Sequence, residues 1–168
     1  MTRYLSTTLV ALLGLAFSAT TLAAKPEEAV KYRQGVMAAQ SWNMNAMGAM
    51  VKGEKPYDKA EFLKRAENLA ALNKMALEGF THEGADKGES KAKPEVWTSM
   101  DKFKGGVDKV NAESGKLVVA AQGGDLAAIK TQFGEVGKVC KNCHENFRNK
   151  QSGIAQKNRA LGRGFLLG

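Results

Sequence analysis

From Leu126 to Phe147 apolar residues recur at alternating intervals of three and four: Leu126, Ile129, Phe133, Val136, Cys140, Cys143 and Phe147. That rhythm follows the 3.6-residue turn of an α-helix and not the alternation of a strand, so the segment predicts an amphipathic helix with one buried stripe. Gly123 and Gly124 precede it, and Asp125 stands where an N-cap belongs. The stripe holds both of the chain's cysteines, so their chemistry is expected to face the core.

Upstream segments repeat the pattern. Pro26 predicts a first helix running to about Met50, with Glu27 and Glu28 against its positive end. Its stripe of Val30, Met37, Met44 and Val51 has Arg33, Gln40 and Met47 at the intervening positions, which puts two polar side chains on a face that should be buried. A second helix is expected from Asp58 to about Glu78, burying Phe62, Leu69, Leu72 and Met75, with Gly79 as its stop. Beyond a polar loop over 84–93, Pro94 opens a third, whose core face is Val96, Met100, Phe103, Val107, Val110, Leu117 and Ala121. Gly105 and Gly106 weaken it locally. Alternating β-branched runs are missing. The expected fold is therefore all-α, an up-down-up-down four-helix bundle, whose facing helices can enclose a cofactor.

The chain's two ends read differently. Residues 1–24 combine Arg3, an apolar run from Leu9 to Phe17 and the small-residue site Leu22-Ala23-Ala24, the pattern of a secretory signal peptide cut after Ala23 or Ala24. The run is shorter than the roughly 20 residues of a membrane-spanning helix. No later segment is apolar enough to span, so an exported protein without a membrane span is expected, periplasmic in a Gram-negative source. Residues 151–168 are basic and punctuated by glycine, which predicts a disordered tail after a domain covering 25–150. The net charge of +8 is concentrated at the ends, because residues 25–149 carry 20 Lys and Arg against 17 Asp and Glu. Interspersed signs of that kind argue against a nucleic-acid footprint.

Cys140-Lys141-Asn142-Cys143-His144 is the attachment pattern of a c-type haem. On a helix, positions i, i+3 and i+4 share a face. Two thiols so placed can each form a thioether with a porphyrin vinyl group, while the imidazole of His144 reaches the iron. Three other readings compete. A thiol-disulfide oxidoreductase using Cys140 and Cys143 expects a βαβ setting with the motif opening its helix, whereas here the motif lies late in one. Zinc wants four ligands, and only His82 or carboxylates could complete the set. A disulfide within one helix has poor geometry. One covalent haem c is the expected cofactor, in a protein that is not an enzyme. For the opposite face of the iron the candidates are His82, which reads as a solvated loop residue, and the methionines, which at helical spacing read as core filler.

A Cys-x-x-Cys-His near the end of a four-helix chain resembles the class II cytochromes c. The segments Ala29-Val30-Lys31-Tyr32-Arg33-Gln34, Val51-Lys52-Gly53-Glu54-Lys55-Pro56-Tyr57, Gly124-Asp125-Leu126 and Gly137-Lys138-Val139-Cys140 are similar to cytochrome c prime, over about residues 25–150. That family is itself an example of the up-down bundle. The resemblance implies a high-spin, five-coordinate haem with His144 as the sole protein ligand to iron. It implies that Met37, an apolar side chain from the first helix, closes the distal face. It also implies that Arg33 contacts a haem propionate with Gln34 beside it, that Phe80 is the distal aromatic, and that Arg148 lies near the proximal face. Nitric oxide and carbon monoxide would then bind at iron, and single electrons could pass to redox partner proteins. The alternative is a low-spin, six-coordinate electron carrier with Met37 as second axial ligand. Family members commonly form homodimers through their first two helices, where Trp42 and Met50 could serve.

Overall fold

In the computed structural model, which describes residues 25–150, the chain enters its first helix at Pro26. The expected signal peptide, 1–24, and tail, 151–168, lie outside the described residues. Helix α1, Pro26–Lys52, begins with the Lys25 N–H donating to the Glu28 carboxylate at 3.2 Å. It ends at Gly53, whose φ of 76° lets the next N–H groups turn back on Ala49 and Met50. Helix α2, Lys59–Met75, is capped by Asp58, which accepts from the Glu61 N–H at 2.8 Å. Two short helices follow, α3, Glu78–Thr81, and α4, Glu95–Thr98. Helix α5, Met100–Gly123, stops at Gly124 with φ 81°. Helix α6, Leu126–Phe147, starts at Asp125, which accepts from the Ala127 N–H at 2.9 Å.

Two boundaries differ from expectation. The second helix ends at Met75, and Gly79 is no stop: it lies inside α3. A Cβ there would stand 2.9 Å from the Arg33 Cβ and 3.0 Å from Tyr32, so glycine is what allows α3 to press against α1. The Tyr32 hydroxyl ties the two together by donating to the Glu78 carboxylate. The third helix is broken at Ser99, with φ −132° and ψ 45°, into α4 and α5. Helix α5 then continues through Gly105 and Gly106 without a break.

Packing runs from α1 to α2, α2 to α5 and α5 to α6, while α6 meets α1 only sparsely. The four long helices make the expected bundle with one seam open. At its closed end Met47, Phe62, Leu69, Leu117 and Ile129 are buried against one another. Toward the other end Phe80, Val96, Phe103 and Val107 form a second cluster, with Met37, Cys143 and Phe147 packed on it.

Between the two clusters lies a polar layer. The Gln40 Nε2 donates to the Asn73 Oδ1 at 2.8 Å, the Asn73 Nδ2 donates to the Ser114 hydroxyl, and Ser114 donates to the Val110 carbonyl at 2.5 Å. This layer corrects the expected core face of the second helix. The buried stripe of α2 is Phe62, Ala66, Leu69 and Asn73, whereas Leu72 is half-buried and Met75 is 38% exposed. An amide bonded through both its oxygen and its nitrogen took the place that hydrophobicity alone assigned to its neighbours. Met50 is also corrected: it is buried in the closed end, so of the two residues considered for a dimer surface only Trp42 is exposed, at 68%.

Candidate cofactor site

Where α1 and α6 separate, a cavity of about 1820 Å³ opens, larger than the about 300–1,000 Å³ of ordinary small-molecule pockets. Helix α6 contributes Cys140, Cys143 and His144 to it, and α1 contributes Arg33, Gln34 and Met37. Phe80 from α3 and Arg148, just past the end of α6, complete the set. All eight side chains nominated from sequence thus line one cavity. His82 is not among its lining residues.

Both cysteines are free, half-buried thiols. Burial pushes the ionisation of each upward, and the neighbouring Cys140 adds to the effect at Cys143. A redox dithiol depends on a lowered thiol pKa, so this environment disfavours the oxidoreductase reading. Burial, with the Arg148 cation adding to it, pushes the His144 imidazole below its ordinary value. The ring is then neutral at pH 7, with a nitrogen lone pair free to bind a metal.

Arg33 is buried, and burial lowers its pKa, although a guanidinium remains charged. It donates to the carbonyls of Gly79 at 3.0 Å and Ala85 at 2.9 Å and to the Ser90 hydroxyl at 2.9 Å. Three of its five donors therefore hold the 79–90 segment onto α1. Its cation lies over the rings of Phe80, at 5.0 Å, and Trp97, at 5.6 Å. The family resemblance implies a propionate contact alone; the fold gives Arg33 a clamping task as well.

Phe80 packs edge-on to Phe103 at 4.8 Å, and Phe103 to Phe147 at 5.2 Å. This aromatic run covers one side of the cavity. Sequence reasoning missed Trp97, whose indole N–H donates to the Phe80 carbonyl at 3.0 Å and so fixes that ring's backbone. Trp97 lies beside the apolar stripe and not on it, and its role depends on a partner 17 residues away. The 84–93 loop is also more ordered in its pairing than expected. Ala92 and Arg148 form an antiparallel bridge, in which the Lys93 N–H donates to the Phe147 carbonyl at 3.0 Å and the Asn149 N–H to the Lys91 carbonyl at 2.8 Å. That bridge sets Arg148 at the cavity.

The donor set fits a covalently held haem. Thiols at i and i+3 with an imidazole at i+4 face an apolar and aromatic cavity, and Arg33 and Arg148 provide positive charge for a cofactor that carries carboxylates. A family model described as cytochrome c′ matches residues 28–148. The chain belongs to the cytochrome c′ family. Cytochrome c′ from Halomonas halodenitrificans is 38% identical over 130 residues, covering 74% of this chain and 98% of that protein. The cytochrome c′ of Alcaligenes xylosoxydans xylosoxydans is 37% identical, covering 76% and 98%. Among solved structures, cytochrome c prime from Shewanella frigidimarina has a TM-score of 0.71 at 38% identity and covers 75% of this chain and 98% of its own. A nitric oxide complex of a mutant of cytochrome c prime from Alcaligenes xylosoxidans has a TM-score of 0.71 at 35% identity, covering 76% and 98%. With the family comes its cofactor, a covalently attached haem c. No helix among the described residues is long and apolar enough to cross a membrane.

Proposed function

We propose that this chain is a periplasmic, non-enzymatic haem protein whose iron is held by His144 alone and binds nitric oxide or carbon monoxide on the opposite face. The haem supplies an iron that takes a diatomic ligand and exchanges one electron. Cys140 and Cys143 would tether it to α6, and the neutral imidazole of His144 would be its protein ligand. Arg33 and Arg148 would meet its propionates and its proximal side, with Gln34 beside Arg33. Met37 and Phe80 would exclude water from the distal side by packing. A homodimer through α1 and α2 and single-electron exchange with redox partners belong to the same reading.

The observation that carries it is the company Met37 keeps: it packs on the cluster of Phe80, Val96, Phe103 and Val107. That apolar packing supports Met37 as a gate over Met37 as a ligand. The nitric oxide complex of the Alcaligenes relative supports the choice of gas. Met37→Ala is the test. Carbon monoxide should associate faster with the reduced variant than with the native protein, by stopped flow, because the gate has been removed. Unchanged association kinetics would contradict the gate.

A further inference from the structure

Of the two polar side chains that the sequence set on the apolar stripe of α1, Arg33 is accounted for by its bonds to the 79–90 segment, and Gln40 only in part, by its bond to Asn73. Gln40 lies one turn beyond Met37, at i+3, and lines the same cavity. Its amide is oriented from the far end of the polar layer. The Val110 carbonyl can only accept, so the single proton of the Ser114 hydroxyl goes to it. Ser114 must then accept from the Asn73 Nδ2. That leaves the Asn73 Oδ1 directed at Gln40, which must donate with Nε2. A backbone carbonyl on α5 thus fixes which way round the Gln40 amide sits on α1. Asn73, the middle member, is 2% exposed, so the orientation is held in the core.

One Nε2 hydrogen goes to Asn73; no bond within the described residues takes the second. At its α1 end the network stops on a half-buried amide at the cavity wall, which leaves that hydrogen facing whatever the cavity holds. A bound diatomic has no proton to give, so only the N–H can engage it. We propose that Gln40 is a positioning and selectivity residue for the distal ligand, its second amide N–H donating to the gas bound at iron. The inference rests on the gas-binding reading above.

The test is the C–O stretch of the reduced carbonmonoxy protein by infrared spectroscopy, in the native chain, in Gln40→Leu and in the double variant Gln40→Leu/Asn73→Leu. Donation to the ligand oxygen draws electron density onto it and weakens the C–O bond, so the native stretch should lie lower. Both variants should shift it upward by the same amount and release carbon monoxide faster. The double variant guards against a folding defect, because it leaves no orphaned amide and Ser114 keeps its bond to Val110. An identical stretch in all three proteins overturns the role of Gln40 while leaving gas binding intact. A native protein that forms no carbonmonoxy complex overturns both.

Discussion

The two ends of this bundle are built from the same helices and do opposite things. At the closed end Met47, Phe62, Leu117 and Ile129, one from each of the four long helices, are fully buried against one another. At the open end Met37, Cys143 and Phe147 are only partly buried and face a cavity of about 1820 Å³. Three of the four long helices pass from one regime to the other through the same polar layer, at Gln40, Asn73 and Ser114 on α1, α2 and α5. Stability and function are therefore separated along the bundle axis. Side chains at the closed end hold the fold, and those that border the cavity are available for a cofactor, with Arg33 serving in both.

The sharpest way to break this division is to damage the closed end alone. Phe62→Ala removes a fully buried ring and should cost about 3–5 kcal/mol in denaturant unfolding, while the haem spectrum of the folded fraction stays as it was. A loss below about 1 kcal/mol, or a changed spectrum, would show that the ends are not independent. A smaller effect is expected at the open end from Arg33→Met. Losing charge-assisted bonds to Gly79, Ala85 and Ser90 should cost about 1.5–3 kcal/mol and speed hydrogen exchange across 79–90 before any exchange at the closed end. Uniform acceleration throughout the chain would contradict the clamp.

The smallest effect concerns the surface between α5 and α6. The bonds from Lys116 and then Gln132 hold the Glu113 carboxyl below its ordinary 4.5. A carboxylate whose folded-state value is lowered stabilises the fold above its unfolded value, and this is lost as pH falls through the lowered one. Glu113→Gln should therefore lower neutral stability slightly and flatten the acid limb of the stability curve below pH 4.5, as followed by thermal unfolding across pH. An acid limb as steep as the native one would remove Glu113 from the account.

Local patterns were legible where a helix carries its own signals. The stripe and Asp125 cap of α6 mark both of its ends, and the spacing of Cys140, Cys143 and His144 on it is the attachment motif itself. The same patterns fail between residues 76 and 98. Gly79 is set by the approach of Tyr32 and Arg33, the 91–93 segment by its bridge to Arg148, and Trp97 by the Phe80 carbonyl. Each of these is a contact between distant parts of the chain, which no short-range periodicity encodes. Asn73 failed for a different reason. Hydropathy counts an amide as a surface residue, and only its partners on α1 and α5 make it a core one. The resemblance nominated residues that the fold brings together, but it was silent on Gln40, because that side chain takes its meaning from Asn73 and Ser114.

The central claim is that the open end leaves one face of the iron without a protein ligand, and the visible absorption spectrum of the purified mature protein tests it most directly. The account predicts a high-spin spectrum in the resting state, and a reduced spectrum that changes when carbon monoxide is added. A sharp low-spin spectrum that carbon monoxide leaves unaltered would contradict it and make Met37 the second axial ligand.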